Sequence, residues 1–138
     1  MDTFSPQQRS EIMRRVRSQD TKPEMIVRRL VHRRGFRYRL HAKELPGRPD
    51  LVFPKRRKIV FVHGCYWHAH RCPASALPET HRDYWEAKLR RNAERDKRTV
   101  RQLRKAGWAV LTIWECQTRN RERLASRLIH FLEEKRDG

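Results

Sequence analysis

The segment from residue 58 to residue 114 constrains the fold more than any other part of this 138-residue chain. Lys58–His63 is an apolar run of strand length, and 108–114 is a second one. Between them, Trp85, Leu89, Ala93, Val100 and Leu103 recur at steps of three or four, which is the period of an amphipathic helix over about 81–105. Thr80 stands in the capping position with Asp83 three residues on, and Gly107 is the stop. Two buried strands joined by one long helix become parallel neighbours through a right-handed crossover. The chain must therefore build an α/β fold with a sheet at its centre.

The other elements attach to that unit. Leu51–Phe53 and Lys58–His63 are separated by the polar turn Pro54-Lys55-Arg56-Arg57, which predicts a hairpin. In 36–40, Phe36, Tyr38 and Leu40 alternate with Arg37 and Arg39, the pattern of a half-buried strand. Thr21 with Glu24 is a capping-box pattern, and opens a helix with Ile26, Val27, Leu30 and Val31 on one side and Gly35 as its stop. Ser5-Pro6, with Gln8, opens an earlier basic helix reaching about Arg17. Thr118 is expected to cap a last helix bearing Leu124, Leu128, Phe131 and Leu132. The order α-α-β-β-β-α-β-α predicts a mixed sheet flanked by helices on both faces, in one domain over 1–138.

Charge narrows the function classes. Thirty-four Lys and Arg against 16 Asp and Glu give a net charge of +18, spread along the chain and not gathered in a tail. Such a surface calls for a polyanion, most simply nucleic acid, with an anionic membrane surface as the other possibility. No apolar run is long enough to span a membrane, and the first residues contain no apolar signal region, so a cytoplasmic protein is expected.

The three cysteines are an odd number, which disulfides cannot all use. Cys65 and Cys72 flank His68 and His70 in a loop over 64–80, and Cys116 follows the last strand. Cys65, Cys72 and Cys116 with one histidine make a closed, structural Cys₃His zinc site. His70 is the better fourth ligand, because it lies between the two loop cysteines and leaves His68 available. The alternative is a set of buried reduced thiols.

The acids divide by their surroundings. Asp50 follows Pro49 and begins an apolar strand, as a turn residue or as a metal-binding carboxylate at a strand end. Glu24 reads first as a capping residue. Asp96 falls on the inward stripe of the long helix, where its i+4 position is Val100, and a histidine would be a natural partner. His63 and His68 suit either structural or acid–base roles. Tyr66 and Trp67, large rings in a loop among ligands, either stack on bases or make a small core around zinc.

Pro-Gly-Arg-Pro-Asp (46–50), Phe-Val-His-Gly-Cys-Tyr-Trp-His (61–68), Asn-Ala-Glu-Arg-Asp (92–96), Gly-Trp (107–108) and Trp-Glu-Cys (114–116) together resemble the very-short-patch repair (Vsr) endonuclease family, over roughly 5–132. The resemblance implies a restriction-endonuclease-like fold and a magnesium-dependent nick just 5′ of the thymine in a T·G mismatch, the product of 5-methylcytosine deamination. The cut leaves a 5′-phosphate and a 3′-hydroxyl. By position, Asp50 and the main-chain carbonyl of Val62 would hold Mg2+, His68 would activate water, and Asp96 would orient it. Glu24 and His63 would complete the surroundings of metal, water and phosphate. Zn2+ would take Cys65, His70, Cys72 and Cys116. Tyr66, Trp67 and Trp85 would intercalate beside the mismatch, and the helix within 1–20 would contact DNA from the opposite groove.

The implied partners are mismatched double-stranded DNA, mismatch-repair proteins and, functionally, a cytosine-5 DNA methyltransferase. A nucleoid-associated monomer is expected, since one asymmetric mismatch needs no two-fold symmetry. Ala69 and Arg71 interrupt a stretch that is often His-rich in the family. Phe61 and His63 stand where ordinary restriction enzymes carry a second acid and a lysine. Two other readings remain: a restriction-like nuclease for matched DNA, and a zinc-stabilised DNA-binding module without catalysis.

Overall fold

The computed structural model describes residues 21–65 and 82–134, apart from the side chains of Arg82 and Trp85. The expected first helix, most of the 64–80 loop and the Thr80 cap lie outside the described residues. The described elements, in chain order, are α1 (Lys22–Arg33), β1 (Arg39–Leu40), β2 (Leu51–Phe53), β3 (Lys58–His63), α2 (Arg82–Lys105), β4 (Ala109–Trp114) and α3 (Arg121–Glu133).

The sheet follows the chain order, β1-β2-β3-β4. β2 pairs antiparallel with both β1 and β3, while β3 and β4 run parallel from Lys58↔Ala109 to His63↔Trp114. The parallel pair exists because α2 carries the chain back along the sheet. Residues of β2 and β3 split by parity between two cores, as a pleated strand requires. Leu51, Phe53 and Val60 join Ile113 under α1 and α3, which supply Val27, Val31, Leu124, Leu128 and Leu132. Val52, Ile59 and Phe61 join Val110 on the other side, with Leu103 of α2. The expected mixed sheet with helical cover on both faces is present.

Three local expectations need correction. Only Arg39–Leu40 of the 36–40 segment enters the ladder, although Phe36 is buried and Arg37 exposed as the alternation requires. α3 is capped by Asn120, whose side-chain oxygen accepts from the Arg123 amide at 3.1 Å, and not by Thr118. Thr118 closes a 3₁₀ turn over Glu115–Thr118, its hydroxyl donating to the Glu115 carbonyl at 2.7 Å. At α1 the capping box is half formed. The Glu24 amide donates to Thr21 Oγ1 at 3.3 Å, but the Glu24 side chain turns inward.

Charged groups also serve the core. Lys58 is 2% exposed, and its ammonium donates to the carbonyls of Phe131 and Glu134 at the end of α3. Arg56 donates to the Leu132 carbonyl at 2.9 Å. Two cations thus meet carbonyls that the helix itself leaves unsatisfied, where its dipole is negative. Among the described residues, no helix is long and apolar enough to cross a membrane.

Gly47 shows how the loop before β2 is seated. Its φ is +77°, and a Cβ there would run into the Thr99 methyl of α2 and lie 3.4 Å from the Phe61 ring. Gly47→Ala should destabilise the protein by about 1–3 kcal/mol through strain and overpacking. A urea unfolding curve within a few tenths of wild type would show that the loop is not held against α2.

Candidate active site

Asp50 lies one residue before β2, where antiparallel pairing with β3 ends. Its Oδ2 accepts the Val62 amide at 2.7 Å, so a carboxylate replaces the strand partner that this N–H lacks. Asp50 is 8% exposed, and Glu24, from the first turn of α1, is 1% exposed. His41 reaches the same place from the end of β1. Its Nε2 is 3.0 Å from both carboxylate oxygens of Glu24. Arg28, one turn along α1, approaches Glu24 Oε2 at 3.4 Å. One ligand atom each from Glu24, His41 and Asp50 lie within 4.8 Å of one another.

Two buried carboxylates this close repel unless a proton or a cation intervenes. Burial, the largest cause, raises the Asp50 pKa from an ordinary 3.8 to about 8, and the neighbouring Glu24 adds to the rise. The Val62 amide works in the opposite sense without overcoming them. A hard divalent cation would relieve the repulsion, and oxygen donors of this kind suit magnesium. The donor set therefore fits the cation expected at Asp50.

A second group lies at the end of β3. His63 Nδ1 is 4.0 Å from Asp96 Oδ2 of α2, and the His63 ring meets Trp114 edge-on at 5.4 Å. Asp96 thus does face a histidine, as its place on the helix stripe suggested. Val62 and His63 are consecutive, so both groups hang from the last two residues of one strand.

Cys65 is buried just beyond β3, and Cys116 sits half-buried just beyond β4. Each is two residues past the paired positions His63 and Trp114, so the parallel register brings both to the same end of the sheet. His68, His70, Cys72, Tyr66, Trp67 and the side chain of Trp85 lie outside the described residues.

His41 is the site residue that the sequence does not announce. It follows an alternating strand and precedes Ala42 and Lys43, with no motif spacing to a second ligand. Its φ is +48°, in the left-handed region that histidine, asparagine and aspartate enter more readily than other non-glycine residues. The backbone is held there by the His41 amide donating to the Asp50 carbonyl at 3.2 Å.

The surroundings are basic. Arg28, Arg29, His32 and Arg33 of α1 line a shallow groove with Met25 and Tyr38. On α2, Arg90, Arg91, Lys97, Arg98, Arg101 and Arg104 are exposed.

The family model described as DNA mismatch endonuclease Vsr matches residues 1–74. The type II nicking enzyme V.XorIIP of Xanthomonas oryzae pv. oryzae is 46% identical over 132 residues, covering 96% of this chain and 97% of its own. The type II nicking enzyme V.NmeAIP of Neisseria meningitidis is 38% identical, with 99% and 98% covered. The DNA mismatch endonuclease Vsr of Escherichia coli K12 is 39% identical, with 96% and 86% covered.

The raised Asp50 pKa gives a pH prediction. Between about pH 4 and pH 8 the folded metal-free protein holds a proton on Asp50 that the unfolded chain has released. Its stability therefore falls as pH rises through that window. Melting temperatures of wild type minus Asp50→Asn should decline from pH 5 to pH 8, and Mg2+ should raise the wild-type value more at pH 8. A flat difference, or an equal Mg2+ effect at both pH values, would contradict the placement of Asp50.

Proposed function

The chain belongs to the Vsr family of DNA mismatch endonucleases, and from that premise we propose that it nicks the thymine strand 5′ of T·G mismatches left by deamination of 5-methylcytosine. The observation that carries the reading is the buried Asp50 carboxylate, fixed by the Val62 amide beside Glu24 on a strongly basic protein. In this reading the mixed sheet is the core of a restriction-endonuclease-like fold.

The reaction is hydrolysis of one phosphodiester bond by in-line attack of water. Asp50 and the Val62 carbonyl would hold Mg2+, which would supply charge stabilisation on the phosphoryl oxygens. His68 takes the proton from the attacking water, and Asp96 orients this acid–base group. His63, facing Asp96, and Glu24 complete the surroundings of water and phosphate. The water oxygen bonds to phosphorus as the bond from phosphorus to the 3′-oxygen breaks, and that oxygen takes a proton from solvent, leaving a 3′-hydroxyl and a 5′-phosphate. Tyr66, Trp67 and Trp85 wedge into the stack at the mismatch, with unstacking repaid by contact on a distorted duplex. Arginines of α1 and α2 take phosphates, and the segment 1–20 reaches the opposite groove.

Zn2+ at Cys65, His70, Cys72 and Cys116 ties the 64–80 loop to the end of the sheet. The positions of Cys65 and Cys116 beyond neighbouring strands support this role. Mismatch-repair proteins and a cytosine-5 DNA methyltransferase are the proposed functional partners of a monomeric enzyme.

A labelled duplex set with T·G, T·A and C·G pairs, in several flanking contexts, tests the reaction. With Mg2+, only the thymine strand of T·G should be nicked, and chelator or Asp50→Ala should reduce nicking to background while mismatch binding persists. Cutting of matched DNA would replace the proposal with the restriction-like reading, and binding without cutting would favour a non-catalytic module. For the structural metal, elemental analysis should find one zinc per chain in the wild type and less than half of that in Cys116→Ser. Full occupancy in the variant would remove Cys116 from the site.

A further inference from the structure

We infer that His41 is a direct nitrogen ligand of the cation at Asp50, so that Glu24, His41 and Asp50 form a mixed nitrogen–oxygen site. The inference rests on the reading of Asp50 as a metal-holding carboxylate and adds a donor of different chemistry to it.

The spacing of His41 and Glu24 suits a hydrogen bond and also two donors on one cation. Donors at neighbouring corners of an octahedral cation with bonds of about 2.1 Å are separated by about 3.0 Å. His41 Nε2 stands 3.0 Å from each Glu24 oxygen. The three donor atoms lie within 4.8 Å of one another, against about 4.2 Å between opposite corners of such a shell, so the donors must draw in by a few tenths of an ångström to share one cation. Ligation requires the neutral imidazole with its proton on Nδ1, so that the Nε2 lone pair is available to the cation.

The backbone supports the same assignment. His41, at φ +48°, donates its amide to the Asp50 main-chain carbonyl, so one backbone hydrogen bond ties residue 41 to the residue that carries the carboxylate. Its side chain is 15% exposed, and it packs against Glu24 and not toward solvent.

Imidazole changes which cations bind. Magnesium favours an all-oxygen shell with several waters, whereas a nitrogen donor strengthens binding along the series from manganese to cobalt and nickel. The site should therefore hold Mn2+ more tightly than Mg2+, with His41 responsible for much of the difference.

The test uses the full chain with its cysteine-bound metal retained, loaded with Mn2+ alone and read by pulsed electron paramagnetic resonance. The expected spectrum shows coupling from a directly bound imidazole nitrogen, which changes when the protein is grown with 15N-histidine. His41→Asn keeps a residue that tolerates a left-handed backbone, and His63→Asn controls for the neighbouring ring. The coupling should vanish in the first and persist in the second. In His41→Asn the Mn2+ affinity should fall about tenfold or more, and the Mg2+ affinity, from competition, should fall by less. Bound Mn2+ without nitrogen coupling in the wild type, or equal losses of both cations, would overturn the inference. The wild-type spectrum decides the matter even if the variant fails to fold. If Mn2+ binds without nitrogen coupling and is lost in Asp50→Ala, the Asp50 reading stands alone. If Mn2+ binding survives Asp50→Ala, that reading falls with it.

Discussion

The hydrogen bond from the Val62 amide to Asp50 Oδ2 is the interaction on which the functional end of the molecule depends. It sits where β2 and β3 stop pairing, and it turns a strand terminus into a carboxylate holder. The bond fixes the side chain at a depth where its charge is costly, and the nearby Glu24 raises that cost. Neither acid would persist in this position for the sake of stability, since a well-packed apolar pair would do better there. In the proposed function, a cation held between them is the reason the fold carries them.

Much of this was legible in the sequence because hydrophobic periodicity is a property of whole segments. The strand–helix–strand unit followed from two short apolar runs and a helical stripe, and the parallel pairing of β3 with β4 is what such a unit must make. Asp50 stood out as an acid at the mouth of an apolar strand. Asp96 stood out as an acid on a buried stripe, and the structure gives it the histidine that its position called for.

What escaped reading depended on single torsions. Thr21 and Glu24 match a capping box, and the backbone half of that box is present. The Glu24 side chain leaves it because His41 and Arg28 offer a better partner from elsewhere in the fold. His41 has no spacing signal, since its approach is set by a left-handed turn after β1 that any polar loop residue could conceal. The cap of α3 moved from Thr118 to Asn120 for a related reason. The tight turn after β4 used Thr118 first, and two good capping residues so close together cannot be ranked by sequence pattern.

The parallel register of β3 and β4 also governs assembly. Glu24, His41, Asp50 and Val62 are all synthesised before any of β4, yet β3 has no partner on its far edge until the whole of α2 has been made and folded back. During that interval Ile59, Val60, Phe61 and Val62 form an open edge, the kind of surface on which chains add to one another. Closure is also delayed by the long separation between the paired residues. The basic residues crowding α2 give neighbouring chains like charge, which opposes such edge-to-edge association.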